Sequence, residues 1–223
     1  MAGIQDFVTF EDDFLGARTL TAAGSEGQVW EITDTSSAGT PTYTIGGVNG
    51  LATLAMDTQA EVQNVCMAFE DDLNFDIDLI DHIEMGVLMG QAAVDATTSV
   101  AFGLASARND AIDSIAEQAS FRVIGSGSTT AVVVETDDGT NNNDDVATGT
   151  TLINVQKKFV ISFANGKSDV RFYINGARVA ASTTFDMSNY AAGLQPYFQI
   201  QKTSDANANA VVVDYVRVVS KRA

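Results

Sequence analysis

The stretch KKFVISFANGKSDVRFYINGARVAAS, residues 157–182, decides the fold class of this chain. It reads as a strand, a turn at Asn165-Gly166, a second strand, a turn at Asn175-Gly176 and a third strand. Two-residue Asn-Gly loops favour the type I′ turn of β-hairpins, because both central residues must adopt a positive φ. Two more strands follow in LQPYFQIQKTSDANANAVVVDYVRVVS, residues 194–220. The C-terminal part of the chain is therefore predicted to form successive short strands.

Apolar and polar residues alternate with a period of two through much of the chain. Phe172 and Ile174 share one face of their strand, and Ile83, Met85 and Val87 share one face of an earlier strand. Clusters of Gly, Thr, Asn, Asp and Ser separate the apolar runs at short intervals. This pattern predicts an all-β fold, a two-sheet antiparallel β-sandwich with one or two short helical turns.

Three segments depart from the alternation. Residues 107–118 (ARNDAIDSIAEQ) space their apolar residues in a rough helical pattern, but they can equally form a loop with one helical turn. Residues 187–192 are predicted to form a single turn. Residues 136–148 (TDDGTNNNDDVAT) lack apolar side chains that could anchor them, so we expect an exposed loop between two strands.

The composition indicates a single acidic domain. With 223 residues, 45% hydrophobic residues and two prolines, the chain can fill one large core and shows no proline-rich linker. We therefore expect one β-sandwich domain over residues 10–223, preceded by an N-terminal arm over residues 1–9. The 29 acidic and 12 basic residues give a net charge of −17, which repels nucleic acid and argues against binding it.

Cysteine content, histidine content and hydropathy restrict the possibilities further. Cys66 is the only cysteine, so no intrachain disulfide can form, and its apolar neighbours predict a buried core residue. His82, the only histidine, has no cysteine partner nearby and is interpreted as structural. The chain has no long apolar run and its N-terminus lacks a signal-peptide pattern. We expect no membrane partner and synthesis in a cytoplasm.

Six short segments carry a resemblance to a known family. They are FEDDFLG (10–16), Trp30, GGVNGLATL (46–54), VAFGL (100–104), FYING (172–176) and VDYVRV (213–218). In this order they resemble the concanavalin A-like lectin/glucanase jelly roll, in particular its small laminin-G-type and phage-encoded versions. Within that fold the chain looks most like virion structural proteins of tailed bacteriophages, which are short, acidic and cysteine-poor and often carry a loop like Asp138-Gly139-Thr140.

The resemblance implies a non-enzymatic virion structural protein, most simply a capsid decoration protein on the capsid exterior, made in the host cytoplasm. Its implied partners are the major capsid protein and further copies of itself, for which a trimer would fit a capsid symmetry axis. The alternative is a carbohydrate-binding, lectin-like module that mediates glycan or host adhesion. Sugar rings stack on aromatic side chains, and the candidates for this role are Trp30, Tyr43, Tyr190 and Tyr197.

Glucanases of this fold place carboxylates two residues apart on one strand face, as nucleophile and acid. No segment completes that pattern: Asp76 and Asp78 are followed by Ile80, and Glu70 and Asp72 are followed by Asn74. The spacing of Asp78, Asp81 and Glu84 puts them on alternating faces of a strand. The sequence thus predicts no catalytic residues and no enzyme.

Calcium is the one cofactor that the sequence suggests. Oxygen-bearing side chains crowd the polar run: Asp137, Asp138, Asn141, Asn143, Asp144 and Asp145. Carboxylate and amide oxygens are the ligands that calcium prefers. The pattern does not fit an EF-hand, and a solvated acidic loop that binds no ion is the alternative. Asp71 and Asp72 form a second, weaker candidate site.

Overall fold

A computed structural model describes residues 6–16, 21–22, 30–46, 49–69, 75–89, 97–125, 130–152 and 154–222. Within these ranges the chain forms strands and one 3₁₀ helix, Ile112–Ser114. The strands are β1 Phe7–Asp12, β2 Thr21–Ala22, β3 Trp30–Asp34, β4 Thr42–Gly46, β5 Leu51–Ala55, β6 Gln63–Phe69, β7 Phe75–Asp76, β8 Ile80–Met89, β9 Thr98–Ala105, β10 Glu117–Gly125, β11 Thr130–Asp138, β12 Asn142–Thr151, β13 Lys157–Ser162, β14 Arg171–Ile174, β15 Ala177–Val179, β16 Gly193–Lys202 and β17 Ala210–Lys221.

The strands form two sheets, and all pairings but one are antiparallel. An eight-stranded sheet has the order β15-β14-β13-β8-β17-β5-β4, with β1 also paired to β17. A nine-stranded sheet has the order β12-β11-β10-β9-β16-β6-β3-β2, with β7 also paired to β16. The exception is the short parallel pair of β2 and β3. The predicted all-β, two-sheet sandwich is thereby confirmed.

The alternation that predicted the strands positions the core. Phe172 and Ile174 of β14 are buried, whereas Arg171 and Tyr173, which alternate with them, are only partly covered. The turn that follows behaves as the sequence predicts, since Asn175 and Gly176 have φ of 50° and 82° and join β14 directly to β15.

The turn at Asn165-Gly166 differs from its prediction. Only Gly166 has a positive φ, and the pair lies inside the longer connection of residues 163–170 between β13 and β14. A type I′ hairpin turn needs a positive φ at both central residues, so this dipeptide does not form one.

Aromatic side chains pack between the two sheets. Phe102 of β9 stacks on Phe121 of β10 with ring centroids 5.7 Å apart, and both rings meet the edge of Phe159 of β13 at 4.8 Å. Phe121 also contacts Phe172 at 5.3 Å. Such offset and edge-to-face pairs add to the free energy gained from burying the rings. The core therefore joins the middle of one sheet to the middle of the other.

The N-terminal residues contribute to this core. Phe10 packs on Phe69 with ring centroids 4.7 Å apart, and Trp30 Nε1 donates a hydrogen bond of 2.9 Å to the buried carboxylate of Asp12. Strand β1 begins at Phe7 and pairs with β17, so residues 7–9 of the predicted N-terminal arm belong to the eight-stranded sheet. Residues 1–5 lie outside the described part of the chain.

The three segments that depart from the alternation form a loop, a turn and parts of two strands. Residues 107–116 form a loop with one 3₁₀ turn, and residues 117–118 begin β10. Tyr190 N–H donates to Met187 O at 3.2 Å in the predicted turn. The exposed loop predicted over residues 136–148 is wrong, because β11 and β12 extend through it and leave only Gly139–Asn141 as a turn. Over the described ranges, no helix has the length and hydropathy to cross a bilayer.

Gly103 lies in a tightly packed part of the nine-stranded sheet, and substituting it tests this packing. Its φ is +151°, and a Cβ added there would lie 2.4 Å from the carbonyl oxygen of Ala119. We predict that Gly103→Ala lowers the free energy of unfolding by about 3 kcal/mol or more. Urea denaturation measures this loss.

The matched control is Gly176→Ala. Its φ of +82° is also left-handed, but no atom lies within 4 Å of the added Cβ. It should cost only about 1 kcal/mol. Equal losses for the two variants would show that backbone strain, not close packing, makes Gly103 necessary.

Candidate functional site

Polar side chains cover the outer face of the nine-stranded sheet, and most of them are buried. They follow the strand registers in rows that cross the sheet. One row contains Gln201, Ser99 and Ile124; the next contains Gln199, Ala101 and Arg122; the third contains Tyr197, Gly103, Ser120 and Glu135; the fourth contains Gln195, Ala105, Gln118 and Asp137. Burying a polar group costs free energy unless it is hydrogen-bonded, so this face needs a cover that supplies partners.

Residues 107–116, which we call the strap, form that cover. Side chains from the sheet hold its backbone: Gln199 Nε2 donates to Asn109 O at 2.7 Å, and Asn64 Nδ2 donates to Asp110 O at 3.3 Å. The backbone N–H of Ile112 donates to Gln201 Oε1 at 3.3 Å. The strap is thus fixed by amide side chains from two neighbouring strands of the sheet, β6 and β16.

Two isoleucines seat the strap on the sheet. Ile112 and Ile115 are buried against a cluster of mostly small residues and one tyrosine: Cys66, Ala68, Ala101, Ala105 and Tyr197. Because the sheet offers small side chains here, the strap backbone can lie close to it. Cys66 is buried and in no disulfide, as predicted, but it lies beneath the strap and not between the sheets.

Arg122 is the centre of an acidic cluster at one edge of the strap. Its side chain is 7% exposed, and its guanidinium pairs with Asp113 of the strap and with Asp145 of β12. Asp144 Oδ1 lies 3.8 Å and Glu135 Oε2 lies 3.6 Å from its Nη atoms. One guanidinium therefore faces four carboxyl groups.

Burial raises the pKa of Glu135 from 4.5 to about 7. The charge of Arg122 works in the opposite direction, while the nearby carboxylates of Asp144 and Asp145 raise the pKa further. Gln118 Nε2 donates to Glu135 Oε1 at 2.7 Å, and Oε2 accepts no hydrogen bond within the described structure. Glu135 is a carboxyl group that can hold or release a proton near neutral pH.

A pocket of about 270 Å³ opens beside this cluster. Its lining combines groups that can donate or accept hydrogen bonds with two aliphatic side chains: Ser99, Asp113, Arg122, Asp145, Gln201, Ile112 and Ile124. The Nε–H of Arg122 is buried and donates to no other described residue. Ligand pockets are commonly built in this way, with apolar walls and a few polar groups.

The predicted calcium ligands do not meet at one point. Asp138 is buried, and backbone N–H groups of Thr140, Asn141 and Asn189 donate to its carboxylate at 2.9, 2.6 and 3.0 Å. Burial alone would raise the pKa of Asp138, but these hydrogen bonds outweigh it and lower the pKa to about 2. Asp138 therefore organises the β11–β12 turn, and Asp137 accepts from Gly139 N–H in the same turn.

The rest of the predicted set is dispersed. Asn143 Nδ2 lies 3.4 Å from Thr136 Oγ1, whereas Asp144 and Asp145 face Arg122. Among the described residues, single oxygens of Asp113, Glu135 and Asp144 lie within 4.8 Å of one another, so only Asp144 of the predicted set belongs to this acidic cluster. Glu135 directly precedes the polar run, but Asp113 belongs to the strap, and no sequence spacing relates it to Asp144. Asp71 and Asp72 lie outside the described residues.

The four aromatic candidates for glycan stacking are also separated. Trp30 and Tyr197 are 2% and 1% exposed, so neither ring can stack on a sugar from solvent. Tyr43 stands on the edge strand β4 and is 37% exposed. Tyr190 is half-buried and donates its hydroxyl to Gly193 O at 2.8 Å. The prediction stays open for Tyr43 and Tyr190, although neither residue lines the pocket.

Of the carboxyl groups considered for catalysis, Glu70 and Asp72 lie outside the described residues, Asp76 belongs to β7 of the nine-stranded sheet, and the others lie in β8 or just before it. His82 pairs with Asp81 at 2.7 Å, and Glu84 pairs with Lys158 and Arg217 on the outer face of that sheet. Asp78 pairs with Lys167 at 2.9 Å. These contacts agree with the structural interpretation of His82, and they place none of these carboxyl groups at the pocket.

The sequence matches no protein-family model and no curated protein. Solved structures, however, match over nearly their whole length. The Emp47p carbohydrate recognition domain has a TM-score of 0.62 at 8% identity, covering 100% of both chains. A laminarinase from Flavobacterium sp. UMI-01 has a TM-score of 0.62 at 11% identity, covering 94% of this chain and 98% of that one. The β-glucanase of Bacillus licheniformis has a TM-score of 0.59 at 12% identity, covering 96% and 98%.

The fold is the concanavalin A-like jelly roll. At such low identity the likeness shows the fold alone. It nevertheless corrects the prediction that the chain is no enzyme. That prediction assumed a scaffold without hydrolytic chemistry, whereas glycoside hydrolases share this scaffold over nearly their full length. None of these three structures supports a bacteriophage role. A virion location, a coat-protein partner and self-association stay predictions.

The raised pKa of Glu135 makes stability depend on pH. Its carboxyl titrates near 4.5 when unfolded and near 7 when folded, so the folded protein binds the extra proton between these values. This contribution to stability is fully present below about pH 4.5 and is lost as the pH rises through 7, by up to about 3 kcal/mol.

We predict that Glu135→Gln removes this loss. The free energy of unfolding of the variant, relative to the unsubstituted protein, should rise by up to about 3 kcal/mol between about pH 5 and pH 8. Urea titrations at both pH values measure the difference. Glu11→Gln, an exposed change on the other sheet, is the matched control. A pH-independent result for Glu135→Gln would contradict the raised pKa.

Proposed function

We propose that this chain is a glycan-binding β-sandwich domain, and that the pocket beside the strap is its binding site. The observation that carries the proposal is the pocket of about 270 Å³, which Arg122 lines together with Asp113 and Asp145, the two carboxylates paired with its guanidinium. A few polar groups of this kind among apolar walls fix the orientation of a bound ligand.

The rest of the lining suits a sugar ring. Asp113, Asp145, Ser99 and Gln201 offer acceptors and donors for hydroxyl groups, and Ile112 and Ile124 offer apolar contact for the C–H faces of the ring. Pockets for drug-sized ligands span about 300–1,000 Å³, so this one suits a single sugar residue. The net charge of −17 favours neutral over acidic glycans.

The structural neighbours support the same class of ligand. By their names, Emp47p contributes a carbohydrate recognition domain and the two bacterial proteins are a laminarinase and a β-glucanase. For the present chain this is support by fold analogy, and the pocket supplies the independent argument.

Binding to a panel of immobilised β-glucans, mannose-rich glycans and mucin-type O-glycans tests the proposal. We predict that the protein binds at least one class, with and without added calcium, and that Ser99→Phe, which fills the pocket, weakens binding about tenfold or more. Asp113→Asn should also weaken it, because Asp113 is exposed and lines the pocket.

The matched control for the pocket-filling change is Ser162→Phe. Ser162 lies on the outer face of the eight-stranded sheet, away from the pocket, so its variant should bind like the unsubstituted protein. The absence of binding to every glycan on the panel, or equal binding by Ser99→Phe, would overturn the proposal.

Glycoside hydrolysis is a second candidate, favoured by the raised pKa of Glu135. A protonated Glu135 could donate its proton to the glycosidic oxygen as the bond from that oxygen to the sugar carbon breaks. Asp113 would attack that carbon as the bond breaks and form a covalent glycosyl ester, which water, deprotonated by Glu135, would then hydrolyse. The carboxyl oxygens of Glu135 and Asp113 lie within 4.8 Å of each other, close to the about 5–5.5 Å between the carboxyl groups of retaining enzymes.

Release of reducing ends from the bound glycan tests this second candidate. The rate should fall as the pH rises above about 7, because Glu135 then loses the proton it must donate. Glu135→Gln should slow the reaction about 100-fold or more, whereas Glu11→Gln should not. Binding without any release of reducing ends would exclude hydrolysis and leave the glycan-binding proposal standing.

A further inference from the structure

The strap is longer than the connection between β9 and β10 requires. Ser106 N–H donates to Glu117 O at 2.9 Å, so these two residues already face each other as the last pair before the turn. A two-residue hairpin loop would be enough to join them. Residues 107–116 are thus an insertion that crosses the face of the sheet.

The strap closes two sides of the pocket. In the direction of the strands, Ile112 and Asp113 close one side of the pocket, the side that faces the rows of Gln199 and Tyr197. Across the strands, Asp110 covers Asn64, which stands directly opposite Gln201. A ligand in the pocket can therefore extend only away from β6 and away from the strap.

The strap also fills the space in which further sugar residues would lie. The amide groups of Asn64 and Gln199 are buried and already hold the backbone carbonyls of Asp110 and Asn109. Ile112 and Ile115 pack directly on the small side chains of the sheet. Displacing the strap would uncover both isoleucines and leave these amides without their present partners, which is unfavourable.

From these contacts we infer that the pocket binds the terminal residue of a glycan chain, and that the strap excludes the interior of a long chain. This inference rests on the proposed glycan-binding function. It specifies the class of ligand, chain ends in place of polymer backbones, and it assigns the selection to residues 107–116.

Binding to chains of different length tests the inference on the unsubstituted protein. The probes are a linear hexasaccharide of the glycan class bound on the panel, the corresponding linear polymer, and a cyclic β-glucan that has no ends. A protein that binds ends should bind a polymer ten times as long about tenfold more weakly per unit mass. It should not bind the cyclic glucan when a β-glucan is the ligand class.

A variant without the strap gives the converse result. Replacing residues 107–116 by Asn-Gly joins Ser106 to Glu117 through a type I′ turn and preserves the pairing of β9 with β10. The variant also lacks Ile112 and Asp113 of the pocket, so it should bind every probe more weakly, but it should bind the polymer and the hexasaccharide about equally per unit mass. Cys66 reports whether the strap is seated, because its thiol is buried beneath the strap. Maleimide labelling should be about 100-fold faster in the variant than in the unsubstituted protein.

The outcomes separate the two proposals. No binding of any probe overturns the proposed function. Equal binding of polymer and hexasaccharide per unit mass by the unsubstituted protein overturns the chain-end inference alone. Rapid labelling of Cys66 in the unsubstituted protein also overturns it, because a strap that opens freely cannot exclude a chain. If the variant fails to fold, the length series and the labelling of the unsubstituted protein still decide the question.

Discussion

Hydrogen bonding of polar groups on the outer face of the nine-stranded sheet is the constraint on which the site depends. The inner face of this sheet is covered by the aromatic core, so the outer face could have remained in contact with water. Instead Asn64, Gln118 and Gln199 are buried there, and each amide donates to a strap carbonyl or a neighbouring carboxyl group. The path of the strap follows from this need, because only a crossing segment can bring backbone carbonyls to these positions.

The same constraint explains why charge accumulates around Arg122. The strap brings Asp113 to one side of the guanidinium, and the β11–β12 hairpin brings Asp144 and Asp145 to the other. Glu135 stands behind them with one oxygen that accepts no hydrogen bond among the described residues. A single cation cannot stabilise four ionised carboxyl groups, so the least solvated one retains its proton near neutral pH. A titrating carboxyl group and a polar pocket thus arise from one packing arrangement.

The sequence predicted the scaffold because its information is local. The alternation at Phe172 and Ile174 and the Asn175-Gly176 dipeptide specify a hairpin without reference to the rest of the chain. The polar run misled the interpretation for the same reason. Residues 136–148 resemble a loop when read alone, but pairing with β11 makes most of them an edge strand. Tertiary pairing can override composition in this way.

The sequence could not predict the candidate site, because only the strand register and the path of the strap bring its residues together. Asp113 lies in a segment without regular pattern, Arg122 in a strand and Asp145 beyond a turn, and no spacing relates them. Glu84, by contrast, lies on the outer face of the eight-stranded sheet, away from the pocket. In this chain the strap covers the middle of the polar sheet face and leaves the pocket open beside it. If access is set by residues 107–116, ligand selection can change through the length of one loop while both sheets and the core remain the same.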